Sequence, residues 1–308
     1  MASGNGQGKH SASAFVPAEP KKKKKGGVWR VIFWISLLVF LGALAALAYI
    51  GWGYFSADQG YKQVAEQAFD VSDTKDAAEA DPAGLSLADL EVDWEYLKSI
   101  NPDIVAWVYM PGTRINYPVV QGKDNDAYLW VDFNRSTSRC GSIFLDYTNN
   151  PSLTDANNVL YGHHMNDGSM FAVLSTTLTN NDEFNKCPAV YVLSPQLNYK
   201  CKPFSIVLTV GTDYLVQVAF KDAEERTEYV KDKMDRSVVT PADGMPKPED
   251  VTQMFTLSTC DYSQSNGRAV MFTQVVDTAV PKSSAEGHDE VQEGDLTALE
   301  EGVSVADQ

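Results

Sequence analysis

A mainly β domain with added helices, carried behind one N-terminal transmembrane helix, is the fold that the 308-residue sequence predicts. Three observations predict it. Residues 31–55 form an uncharged apolar run. Between residues 88 and 277, nine short apolar segments are separated by Gly, Pro, Asn and Asp, the pattern of a β-barrel or sandwich. Two stretches with helical spacing interrupt that series.

Residues 1–30 carry seven Lys/Arg and one Glu, net +6, which leaves −22 for the rest of a chain of net charge −16. No basic stripe survives beyond the N-terminal segment, so nucleic acid is excluded as a partner. The apolar run, VIFWISLLVFLGALAALAYIGWGYF, would extend about 37 Å as a helix, enough to span a bilayer. Trp29, Trp34, Trp52 and Tyr54 lie toward its ends, where amphipathic rings favour the headgroup level. Lys21 to Lys25 and Arg30 precede it, whereas residues 56–90 hold eight acidic residues against two lysines. The positive-inside rule then puts the N-terminus in the cytoplasm and everything after Phe55 outside the cell. The run is longer than the h-region of a cleaved signal peptide, so it reads as a signal anchor.

The order along the chain is a basic cytoplasmic tail (1–30), the anchor (31–55), an extracellular stalk (56–87), the folded domain (88–277) and an acidic tail (278–308) without Phe, Trp or Tyr. Both tails read as disordered. The stalk is Ala- and Asp-rich, with some helical character in YKQVAEQAF. Within the domain, DLEVDWEYLKSI has helical spacing and ends at Asn101-Pro102, since a residue before proline avoids the α region. The β-rich runs are IVAWVYM, INYPVVQ, GSIFLDY, NVLYGH, AVYVLS, FSIVLTV, YLVQVAF, MFTLSTC and AVMFTQVV. SMFAVLSTTL and AEERTEYVKDKM are the interrupting helices, the second inside a long connection from Lys221 to Val251. Connections of that length are often functional.

A free cysteine has a pKa near ~8.5, so a catalytic one needs a neighbouring base or cation. The chain has four histidines; His10 and His288 fall in the tails, which leaves the adjacent pair His163 and His164. Cys260 closes the run MFTLSTC at a strand end, and AVMFTQVV begins directly after Arg268. If these strands pair antiparallel around the seven-residue loop 261–267, Arg268 returns beside Cys260. A guanidinium there could lower the thiol pKa and donate to an oxyanion. Taken singly, each residue has an ordinary reading as a buried strand cysteine, a turn histidine or a solvated arginine.

The segment NNVLYGHHM, then FTLSTC, then Arg268 eight residues after the cysteine, resembles the sortase signature of a histidine motif, a TLxTC motif and a downstream arginine. NPDIVAWVYMPGTRINYPVVQ, DNDAYL, GSIFLDY and the helix-bearing connection before the cysteine strand resemble class B of that family. The resemblance covers about residues 88–277. It implies an eight-stranded β-barrel, with Cys260 as nucleophile, His163 as proton-transfer partner and Arg268 as oxyanion stabiliser. His164 then stands at a position usually filled by other polar residues. Asn125 and Leu129 in DNDAYL, with Ser258 and Thr259 in LSTC, correspond to positions lining the substrate groove; Asp261 has no assigned role.

The implied reaction is a two-step transpeptidation needing neither metal nor organic cofactor. The implied partners are secreted proteins bearing a C-terminal sorting motif, NPxTN-like in class B, and a cell-wall precursor amine as acceptor. The same three residues would also serve a pilin-polymerising enzyme or a thiol hydrolase. A noncatalytic surface-binding module on a membrane stalk is the reading from another class. Cys187 and Cys201 flank a hairpin turning near Pro195, so they are either disulfide partners on facing strands or ordinary strand residues, and Cys140 has no evident partner.

Overall fold

Eight strands close into a barrel in the order β1-β2-β3-β4-β7-β8-β6-β5, in a computed structural model that describes residues 26–69, 86–211, 217–261 and 266–284. The side chains of Cys260 and Asp261, residues 1–25 and the tail beyond 284 lie outside the described set. The strands are β1 (Ile104–Tyr109), β2 (Asn116–Val120), β3 (Ile143–Leu145), β4 (Asn157–Tyr161), β5 (Val190–Leu193), β6 (Asn198–Val210), β7 (Met254–Asp261) and β8 (Gly267–Ala279). Pairing is antiparallel except for β2 with β3 and β4 with β7. Parallel neighbours cannot be joined by a tight turn. The chain therefore crosses over twice, through residues 121–142 and through everything between β4 and β7.

The second crossover holds α3 (Val173–Thr176), α4 (Asn181–Phe184), the β5–β6 hairpin and α5 (Ala223–Asp235). Asp222 caps α5 by accepting from the Glu225 N–H at 2.9 Å. Tyr229 and Val230 of that helix pack with Phe204, Val251, Met254 and Phe272 in a satellite cluster on the barrel wall. The main core holds Trp107, Tyr191, Tyr199 and Phe255, each buried. Alternation along short runs thus gave eight strands, and the ninth run falls partly outside the described residues. Gln217 to Phe220 of YLVQVAF has no regular structure, and residues 212–216 lie outside the described set.

The chain divides into two compact units, Met1–Ile50 and Gly51–Gln308. The described residues of the first all belong to helix α1 (Gly26–Ala68), which includes an 18-residue window of mean hydropathy 2.6 with none of it buried. It is long and apolar enough to cross a membrane. Its last turns differ from the expected stalk. Tyr61, Val64, Ala65 and Ala68 recur at helical spacing, and this stripe packs onto the barrel with Tyr61, Val64, Ala68 and Phe69 buried. The Phe69 ring lies 5.9 Å from that of Trp107, and Asp58 pairs with Arg114 at 2.6 Å. A second helix, α2 (Trp94–Ile100), follows with Asp93 as its cap, and the Asp93 N–H donates to Ala68 O at 2.8 Å. The domain's other boundary also runs past residue 277: β8 continues to Ala279, Lys282 pairs with Asp89, and Ser284 Oγ donates to Pro195 O at 2.9 Å.

Cys187 and Cys201 are both free thiols. The β5–β6 register sets Val190, not Cys187, opposite Cys201, so the two cysteines are not cross-strand partners.

Candidate active site

Three neighbouring strands bring the chemistry together. The parallel β4–β7 register runs through Tyr161 opposite Ser258, and the Gly162 N–H donates to Ser258 O at 3.1 Å, carrying the ladder one step further. His163 therefore leaves β4 beside the end of β7, two residues beyond Tyr161 as Cys260 is two beyond Ser258. On the other side of β7, the antiparallel register pairs Cys260 with Arg268, as counting the 261–267 loop predicts. Arg268 also faces Thr209 of β6. Its Nη1 donates to Gly267 O at 2.9 Å, and a methyl group added at Gly211 would lie 3.1 Å from the guanidinium carbon.

The His163 ring is held from the first crossover. Its Nε2 lies 2.7 Å from Leu129 O. A carbonyl only accepts, so Nε2 carries the proton and Nδ1 is the remaining ring position. Trp130 covers the ring at a centroid distance of 5.1 Å. Gly141 closes the clamp: its φ is +55°, and an added Cβ would stand 2.4 Å from Leu129 O and 3.0 Å from His163 Cδ2. No side chain fits there without displacing the acceptor of the histidine. Gly141 O in turn accepts from Tyr61 Oη at 2.6 Å, which ties this clamp to the end of α1.

Gly162 is as tightly enclosed. A Cβ would stand 2.5 Å from Ile143 Cδ1 and 2.8 Å from Phe171 Cδ2, both buried. Gly162→Ala is expected to cost about 1–3 kcal/mol of stability in denaturant unfolding through overpacking. Because the clash sits next to His163, turnover should fall further than the unfolded fraction accounts for.

A cleft of about 320 Å³ opens over these strand ends. Six residues singled out in the sequence line it: Asn125, Leu129, His163, Ser258, Thr259 and Arg268. Thr259 is 3% exposed and its Oγ1 has no hydrogen-bond partner among the described residues. Sequence reasoning passed over Phe144 and Tyr161, which also line the cleft. Tyr161 was findable, since residues i and i+2 share a face in an extended chain and it stands two before His163.

Behind this wall lies Asp146, 7% exposed. Burial works to raise its pKa, but hydrogen bonds from Thr148, Asn125 and Tyr161 outweigh that and hold the carboxyl below the ordinary carboxylate range. His164, next to His163, points elsewhere: its Nδ1 lies 2.8 Å from Ser175 Oγ of α3. The other cysteines are poor nucleophiles. Burial pushes the thiols of Cys140 and Cys201 up, and that of Cys187 up to about 12. Among the described residues no three His, Cys, Asp or Glu side chains converge to hold a metal ion.

Comparison with known proteins bears on the family and the fold. The sortase domain family model matches residues 108–276. Sortase B of Staphylococcus aureus (strain NCTC 8325 / PS 47) is 34% identical over 185 residues, 59% of this chain and 74% of that protein. Sortase B of Listeria monocytogenes serovar 1/2a (strain ATCC BAA-679 / EGD-e) is 33% identical over 201 residues, 65% of this chain and 78% of that one. The solved Staphylococcus aureus sortase B-substrate complex superposes with a TM-score of 0.59 at 28% identity, covering 72% of this chain and 97% of that one. With a closed eight-stranded barrel, a cysteine on a central strand and relatives of this kind, the chain belongs to the sortase family of cysteine transpeptidases, in its class B branch.

Proposed function

We propose that this enzyme cleaves a C-terminal sorting motif after threonine and joins the new carboxyl end to a cell-wall amine, using Cys260, His163 and Arg268. The observation that carries the assignment is the pair of registers about β7, which align Cys260 with Arg268 on one side and with the exit of β4 toward His163 on the other. The Cys260 thiolate attacks the threonine carbonyl, and the electron pair moves onto oxygen. Arg268 stabilises that oxyanion with its guanidinium donors. As the intermediate collapses, the C–N bond breaks, the imidazolium form of His163 gives its Nδ1 proton to the leaving amine, and a thioester remains beside the neutral ring. An acceptor amine then attacks the thioester and loses a proton to Nδ1 of His163; the C–S bond breaks, the product leaves as an amide, and the thiolate and protonated histidine are restored. Asn125, Leu129, Ser258 and Thr259 form the wall against which the peptide lies, a reading supported by their common cleft and by a relative solved with its substrate.

The apolar stretch of α1 would hold the enzyme in the membrane, with the basic tail in the cytoplasm and the barrel outside. Secreted substrate and lipid-linked acceptor are both concentrated at that surface. The test is incubation of residues 51–308 with threonine-containing peptides, an NPxTN type among them, followed by intact-mass spectrometry with and without added amines. Expected is an acyl adduct that one class of amine releases as an amide. Release only as the free acid, whatever amine is added, would make the enzyme a hydrolase and sink the transfer reading.

A further inference from the structure

Asp146 follows β3 in the segment FLDY, and its carboxylate is satisfied without a cation. Oδ1 accepts from Thr148 N at 2.9 Å and Thr148 Oγ1 at 2.6 Å; Oδ2 accepts from Asn125 Nδ2 at 2.9 Å and Tyr161 Oη at 3.1 Å. Among the described residues no Lys, Arg or His forms an ion pair with it. The turn at Thr148 uses only Oδ1, and an asparagine would serve it equally well. Oδ2 is spent on two side chains that line the cleft. They come from different parts of the chain, Asn125 from the first crossover and Tyr161 from the end of β4.

This arrangement fixes the polarity of the wall at the Tyr161 oxygen and the orientation of the Asn125 amide. Tyr161 has one O–H, and it is directed at Asp146, so any further partner of that oxygen has to be a donor. One N–H of Asn125 is committed to Asp146, and its Oδ1 accepts from Tyr147 N at 3.0 Å, which sets the amide in one orientation. A buried negative charge stands directly behind both. We propose that Asp146 is a positioning and specificity-determining residue, orienting Asn125 and Tyr161 so that this wall accepts a hydrogen-bond-donating side chain of the peptide, an amide or hydroxyl, and rejects a carboxylate. The inference rests on the reading of the cleft as a peptide groove.

The test is a competition between a threonine-containing peptide of NPxTN type and its two counterparts with one asparagine changed to aspartate, mixed in one tube and read as relative acyl transfer. The amide-to-acid ratio does not depend on how much enzyme is folded, so a merely structural role would leave it unchanged. Wild type is expected to prefer the amide at least tenfold at one position, and Asp146→Asn to reduce that preference at least about tenfold, because the charge is lost and the amide now donates toward Asn125 and Tyr161. An unchanged ratio in Asp146→Asn overturns the proposal. Should that variant fail to fold, Tyr161→Phe gives the second reading: the ratio falls if the phenol relays the orientation set by Asp146, and an unaltered ratio rejects it. No transfer by wild type from any peptide would instead count against the groove reading itself.

Discussion

Cys260→Ala is expected to leave a folded barrel that forms no acyl adduct and loses transfer by at least about 10⁴-fold. The placement of the other three cysteines explains why none of them substitutes. The thiols of Cys140, Cys187 and Cys201 are held protonated by burial, and none of these residues lies on β7 or β8. Intact-mass spectrometry on wild type and variant with one reactive peptide reads the result directly. A mass adduct persisting in Cys260→Ala would show that another nucleophile carries the acyl group, and the mechanism drawn around β7 would have to be abandoned.

The two adjacent histidines should separate just as sharply. His163→Ala removes the ring held between Leu129 O and Trp130, and turnover is expected to fall by about 10²- to 10⁴-fold, the usual range for a lost general acid or base. His164→Ala removes a hydrogen bond to Ser175 at the edge of α3. That costs about 1 kcal/mol of stability and leaves most of the transfer rate. Steady-state rates on both variants, with a thermal melt to confirm folding, decide it. Comparable losses in the two would mean that the pair acts as a unit and that the choice of His163 is wrong.

Much of the barrel was written in local alternation. Runs such as IVAWVYM and AVMFTQVV became β1 and β8, and the seven residues between Cys260 and Arg268 set those two opposite each other once β7 and β8 pair antiparallel. Parallel pairing leaves no such trace, because its partners are distant in sequence. That β4 lies against β7, and so brings His163 toward Cys260, depends on a crossover of more than ninety residues. Of the run YLVQVAF only Gln217 to Phe220 is described, and it has no regular structure. The stalk misreading was of another kind. Tyr61, Val64 and Phe69 are few and set among Ala, Gln and Glu, too sparse to announce a core, and they become one only because the barrel supplies the other half. Asp146 was hidden because a single acidic residue at the end of an apolar run reads as solvated.

The hydrogen bond from Tyr61 to Gly141 O gives the last turns of α1 a part in the site. The Tyr61 ring packs 4.9 Å from Phe133 and 5.3 Å from Tyr117, and its hydroxyl holds the strap that sets Leu129 O against His163. The residue that seats this helix on the barrel is thus also the one that steadies the acceptor of the histidine.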